Sequence, residues 1–206
     1  MSALDLHIHR WEPATVPDKP TLLLLHGTGG DENDLLPFAR SLMPGAALLS
    51  PRGNVLEHGA PRFFRRLAEG VFDVPDLHRR TSALGDFVDA AATEYGFEPS
   101  RLYALGFSNG ANIAASLLLS RPSLLAGGLL FRAMVPFEVS KAPDLTHTRV
   151  LLSAGVADQM IPRAGTERLA EILRAAGAQV ELQWQQASHG LVQGDVAAGR
   201  AFLAAL

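Results

Sequence analysis

The chain contains no cysteine in its 206 residues. That one absence removes disulfides, thiolate metal sites and cysteine nucleophiles together. Excess positive charge is also missing. The net charge is −3 with both signs mixed along the chain, so nucleic acid is not expected as a partner. No internal repeat, low-complexity tract or linker-like stretch interrupts the sequence, and 1–206 reads as one domain. The first residues, MSALDLHIHRWEP, lack a basic start followed by an apolar run. No secretory leader is therefore expected, and a cytoplasmic location is. Only Leu102 to Ser120 is long and uncharged enough to be weighed as a membrane span. Its centre holds Gly106, Ser108, Asn109, Gly110 and Asn112, polarity that lipid disfavours. It reads instead as a buried strand, a turn and a buried helix, so no stable membrane insertion is expected.

Apolar residues make up 48% of the chain, enough for a substantial core without staples. Leu4 to His9 alternates apolar with polar and predicts a half-buried edge strand with His7 and His9 on its solvent face. Those two histidines lack a third ligand nearby, and no metal site is expected. TLLLLH at 21–26 is a continuous apolar run, the pattern of a strand covered on both faces. A helix is expected from about Asn33 or Asp34, with Pro37 in its first turn. Further strands are expected at 46–50, 101–107, 126–132, 149–153 and 180–185. Further helices are expected at 76–95, 109–120, 164–176 and 194–206, with Gly96 and Gly177 as stops. Residues 51–75 read as a long irregular loop, a kind that often carries function. Strand and helix alternate after Thr21. That order predicts a mostly parallel sheet of about seven strands with helices on both faces, an α/β fold.

One short motif asks for an explanation. Gly106-Phe107-Ser108-Asn109-Gly110 places a serine between two glycines where a buried strand should turn into a helix. A turn that sharp strains its apex residue and brings the flanking residues against neighbouring backbone, so they must be small. The pattern is that of a nucleophile elbow. A serine nucleophile needs a base, and the base needs an orienting carboxylate. His189, in ASHGL, follows the last predicted strand and should sit at the carboxyl edge of the sheet, level with Ser108. Asp158, in SAGVADQMIP, follows the strand before it and should reach the same edge. Asp144 precedes its strand, which puts it at the opposite edge, and Asp195 reads as a helix cap. Acyl transfer also needs donors for a developing oxyanion. The backbone N–H groups of Asn109 and of Thr28, in the HGTGG loop at 26–30, are the candidates. His26 reads as a structural residue of that loop. Neither a dinucleotide fingerprint nor a P-loop fits the glycine spacing.

Taken together, HGTGGDENDL, PRG, GFSNGA, GVADQMIP and SHG resemble the phospholipase/carboxylesterase family of α/β-hydrolases, from about residue 20 onward. The resemblance implies a single-domain hydrolase acting on small-molecule esters, without metal or cofactor. An acyl thioesterase or lysophospholipase and a dienelactone-type lactone hydrolase are the alternative readings, and an intact triad and oxyanion loop argue against a non-catalytic binding protein. It implies Ser108 as nucleophile, His189 as base, Asp158 as its orienting acid, and Thr28 and Asn109 as oxyanion donors. The match is nearer the small bacterial carboxylesterases, because the acyl-protein thioesterases usually carry Gln where Asn109 stands. FRAMVP at 131–136 is a second difference. A homodimer is compatible with this reading. Phe63, Phe64, Met134 and Met160 are candidates for the substrate pocket, and Arg62, Arg65 and Arg66 for a polar or anionic substrate edge. The segment from Ala133 to Thr148 is too short for a helical cap domain. An uncapped site predicts preference for esters of short to medium acyl length.

Overall fold

The computed structural model describes residues 2–206. In chain order the strands are β1 (His9–Glu12), β2 (Thr21–Leu25), β3 (Leu48–Pro51), β4 (Val55–Glu57), β5 (Ala60–Arg62) and β6 (Arg66–Ala68). They continue with β7 (Val71–Phe72), β8 (Leu102–Phe107), β9 (Gly127–Phe131), β10 (Arg149–Gly155) and β11 (Gln179–Gln185). The α-helices are α1 (Leu36–Leu42), α2 (Val74–Tyr95), α3 (Asn109–Ser120), α4 (Arg163–Ala175) and α5 (Gln193–Ala204).

Seven strands form one sheet in the order β1-β3-β2-β8-β9-β10-β11. All neighbours run parallel except the edge strand β1, which lies antiparallel to β3. The leucine runs at the centre explain the layering. Side chains alternate across a strand, so Leu23 and Leu25 face α2, α3 and α4 while Leu22 and Leu24 face α1 and α5. Both faces are apolar and both are covered. Helix α2 shows how the ends are set. Asp73 Oδ1 accepts the N–H of Asp76 at its start, Pro75 lies in the first turn, and Gly96 stops it at φ +71. No helix is inserted between β9 and β10.

β2 and β8 pair in the middle of the sheet, with Leu25 opposite Gly106. Their carboxyl ends bring the 26–30 loop beside Ser108. β10 and β11 end in register at Gly155 and Gln185. The loops that follow carry Asp158 and His189 to the same edge, where ligands of open α/β sheets bind.

Two expectations fail. Leu4 to His9 is not a strand. Ser2 and Asp5 bond reciprocally to each other's backbone neighbourhood and wind Ala3–Leu6 into a 3₁₀ turn; the edge strand begins only at His9. Local side-chain acceptors outcompete the ladder there. His7 is accordingly buried rather than solvent-facing, with Nδ1 donating to the Arg52 carbonyl at 2.7 Å and its ring edge-on to Phe87. Residues 51–75 are also more ordered than an irregular loop. They fold into two antiparallel ribbons, β4–β5 and β6–β7.

Phe63 packs between the rings of His7 and His26, at 6.4 and 4.7 Å. His26 Nε2 accepts the N–H of Gly53 at 2.9 Å, so its Nδ1 carries the proton and donates to the Gly27 carbonyl. Burial is the main force lowering both pKa values below the ordinary 6.5. The fold thus favours the neutral rings. Their stabilisation is complete above pH 6.5 and is lost as the pH falls below it. Thermal melts from pH 8 to 5 should show a plateau and then a decline beginning near 6.5, steepening by up to about 1.4 kcal/mol per pH unit per ring. The variants His7→Gln and His26→Asn should each flatten that decline. Equal slopes in wild type and both variants would assign the acid sensitivity to other groups.

Candidate active site

Ser108 sits between β8 and α3 with φ +52 and ψ −113, a backbone state that costs a side-chain-bearing residue strain. Crowding holds it there. A Cβ on Gly110 would lie 1.9 Å from the Leu25 carbonyl oxygen, and one on Gly106 would lie 2.7 Å from the Ala111 backbone. Only glycine lets α3 start this close to the ends of β2 and β8. The Ser108 N–H donates to the Phe131 carbonyl at 2.9 Å, which ties the turn to β9 as well. The hydroxyl is left facing the sheet's carboxyl edge.

Ser108 Oγ lies 2.9 Å from His189 Nε2, and His189 Nδ1 lies 2.8 Å from Asp158 Oδ2. The Asp158 side chain is 1% exposed. Its other oxygen accepts the backbone N–H groups of Met160 and Ile161 at 2.9 and 3.1 Å, which lock its rotamer. With the acid fixed, the imidazole is turned so that Nδ1 donates to Asp158 and Nε2 is free to accept from Ser108. Asp144, the rival acid, is spent on the N–H and hydroxyl of Thr146 ahead of β10, at the other edge. Asp195 lies buried at the start of α5, where Oδ2 accepts the Val192 N–H at 2.8 Å.

Among the described residues, the backbone N–H groups of Thr28 and Asn109 donate to no protein acceptor. Both residues line the same groove as Ser108 and His189. The Thr28 loop is anchored from β5: Gly29 N–H donates to the Pro61 carbonyl at 2.9 Å and Arg62 Nη1 to Thr28 Oγ1 at 2.5 Å. The Asn109 side chain accepts the Phe63 N–H at 2.8 Å and so fastens the ribbon segment to α3.

The groove measures about 230 Å³ and is lined also by Phe72, Phe107, Met134, Met160 and Ile161. Phe63 and Phe64 do not line it, contrary to expectation. They are 1% and 0% exposed and belong to the core between β-ribbons, α2 and α3. Two adjacent phenylalanines anchor the 51–75 segment by burial; Phe72 packs edge-on to Phe64 and is the aromatic that reaches the groove. The three arginines are not a free basic face either. Arg62 is 3% exposed and lies 3.4 Å from Glu57, Arg66 pairs with the same Glu57 at 2.9 Å, and Arg65 pairs with Asp73. Arg62 and Arg66 nonetheless stand in the groove wall. Asn112 was not anticipated: its Oδ1 accepts the Met134 N–H and sets that side of the groove. Its place one turn after Ser108 was the available signal. No group of three His, Asp or Glu residues could hold a metal among the described residues. A larger hollow of about 520 Å³ lies at the opposite sheet edge, by Lys19, Tyr103 and Arg200, but holds no nucleophile and base pair.

A family model described as Phospholipase/Carboxylesterase matches residues 7–206. A protein named as a hydrolase, MhqD of Bacillus subtilis, is 46% identical over 90% of this chain and 92% of its own. The crystal structure of a Bacillus cereus carboxylesterase superposes with a TM-score of 0.94 at 44% identity, covering 98% of this chain and 95% of that one. A structure of YahD with malic acid superposes with a TM-score of 0.91 at 29% identity, covering 97% and 99% of the two chains.

The crowding at the turn makes a stability forecast. Gly110→Ala must push α3 off β2 and should lower stability by about 3 kcal/mol or more, while Ser108→Ala should change it by less than about 1 kcal/mol. Denaturant titration of both variants checks this. A Gly110→Ala protein as stable as wild type would show that the turn has slack.

Proposed function

Given that the chain belongs to the phospholipase/carboxylesterase family, we propose that it hydrolyses carboxylic esters through a covalent acyl-serine intermediate on Ser108. The observation that carries this is the unbroken chain Ser108 Oγ, His189, Asp158 at 2.9 and 2.8 Å, opening on a groove with two unused N–H donors.

The cycle follows from proton bookkeeping. Ser108 Oγ attacks the ester carbonyl carbon as its proton passes to His189 Nε2. The carbonyl oxygen gains the negative charge and takes hydrogen bonds from the Thr28 and Asn109 amides. Asp158 steadies the imidazolium without taking its proton. The tetrahedral species collapses, the alcohol leaves with the proton from His189, and the acyl group stays on Ser108. Water then attacks that acyl carbon, giving its proton to His189. Collapse returns the proton to Ser108 and releases the acid. No redox step or metal is required.

The groove supports a size limit. About 0.8 kcal/mol accompanies each buried methylene, and a groove of 230 Å³ closed by Phe72, Phe107, Met134 and Ile161 covers only the first few carbons. Short to medium acyl esters are the substrates that fit, and with no helical cap present no interfacial activation is expected.

Ser108→Ala should lose roughly 10⁴-fold or more in kcat on p-nitrophenyl butyrate while staying folded. Asp158→Asn should be crippled and Asp144→Asn should not. Across p-nitrophenyl esters from acetate to palmitate, kcat/KM should peak at short to medium chains with no jump above the micellar threshold. An Ser108→Ala enzyme keeping more than a few per cent of kcat would refute the nucleophile, and an optimum at palmitate would refute the size limit.

A further inference from the structure

Arg132 lies one residue beyond β9 and carries φ +58, where a long side chain is seldom found. It is wholly buried, 0% exposed, as is its partner Asp195, 63 positions further along the chain. All five of its guanidinium N–H groups are used. Nη1 and Nη2 donate to Asp195 Oδ1 and Oδ2 at 2.9 and 2.8 Å. Nη1 also donates to the Ser153 carbonyl at 3.1 Å. The remaining two contacts are the informative ones: Nε donates to the Ser188 carbonyl at 3.3 Å and Nη2 to the Gly190 carbonyl at 2.6 Å. Those carbonyls flank His189.

We propose that Arg132 is a positioning residue that grips the backbone on both sides of His189 and so sets the imidazole against Ser108. Residues 186–192 belong to neither β11 nor α5; the Ala187 carbonyl accepts the Ala157 N–H at 3.0 Å, but among the described residues no backbone–backbone bond reaches Ser188, His189 or Gly190. Asp158 fixes one ring nitrogen but not the loop beneath it. The guanidinium supplies what is missing, a rigid planar fork with donors diverging toward two carbonyls. Its own orientation is fixed by Asp195, which is in turn held by the Ser153 hydroxyl at 2.7 Å and the Val192 N–H. From the other side the loop is pressed onto the end of β10: a Cβ on Gly155 would meet the Ser188 and Ala187 carbonyl oxygens at 2.3 and 2.5 Å. Arg132 itself does not line the groove, so its effect should fall on turnover rather than on substrate binding. A buried ion pair alone is poor evidence of stabilisation, and an apolar pair would fill the space as well. Gripping both carbonyls beside His189 is a task that an apolar pair cannot perform.

The inference rests on His189 being the base, so the assay includes His189→Asn as a control. Two variants test it. Arg132→Lys keeps the charge for Asp195 but has three donors and no fork. The double variant Arg132→Met/Asp195→Leu removes both charges together, avoiding an orphaned one. In each folded variant kcat on p-nitrophenyl butyrate should fall about 30-fold or more with KM within about 3-fold, because a misplacement of about 1 Å costs that much. The rate of Ser108 labelling by a fluorophosphonate should fall in parallel. The downfield Nδ1–H proton signal of His189 should broaden. Wild-type kcat in either folded variant would overturn the proposal. So would failure of both to fold, since the pair would then serve the core as a whole. A fully active His189→Asn would instead overturn the assignment of His189 as base, the reading of the site on which this inference rests.

Discussion

Close approach of backbone to backbone at one turn organises this molecule. Where β8 becomes α3, the glycines at 106 and 110 let a helix start directly on the ends of two central strands. Ser108 is forced into a positive φ as a result, and its hydroxyl can point only toward the carboxyl edge. The strain is tolerable because the surroundings over-determine it: α3 is buried along nearly its whole length, and the Ser108 amide is bonded to β9. Everything else the site needs is delivered to that point. β2 brings the Thr28 loop, β10 brings Asp158, and β11 brings His189.

The delivery is made by loops, and loops need holding. Each one has a separate anchor. The Thr28 loop is held by the β4–β5 ribbon through Arg62 and Pro61 and from beneath by His26. The Asp158 loop closes on its own acid, whose oxygen takes two backbone amides in succession. The His189 loop rests on Gly155 and on the Arg132 fork. The 51–75 segment therefore serves as scaffold more than as cover. Its two phenylalanines sink into the core, its arginines at 62, 65 and 66 are tied down by Glu57 and Asp73, and only Phe72, Arg62, Arg66, Glu69 and Gly70 reach the groove.

The electrostatics of the edge follow from this economy of partners. Asp158 is buried but receives two N–H groups and an imidazole, so its charge has partners on every side. Thr28 and Asn109 keep unused amides at the groove, the arrangement that a developing oxyanion needs. Buried histidines elsewhere, His7 and His26, are held neutral by desolvation and act as hydrogen-bonding spacers around Phe63. Chemically similar rings thus take different roles because their surroundings differ in water access and in partners.

Local pattern determined much of this protein. Continuous leucine runs meant strands covered on both faces, alternation with amphipathic helices meant a parallel sheet, and a serine between glycines at a strand end meant a strained turn. Each depends on neighbours within a few residues, so the chain order alone was enough to place Ser108, Asp158 and His189 at one sheet edge. The misses have a common physical cause. Leu4 to His9 alternates like a strand, but Ser2 and Asp5 offered nearer partners. Phe63 and Phe64 lie in a segment that should face the site, yet which way a side chain turns depends on what packs behind it. Arg62, Arg65 and Arg66 look like a basic face until Glu57 and Asp73 fold onto them. Arg132 and Asp195 are unremarkable in sequence, and nothing in either neighbourhood announces the other. Only the tertiary structure brings them together, because a buried ion pair is defined by exclusion of water from both partners at once, and that exclusion exists only after β9, β10 and α5 have packed.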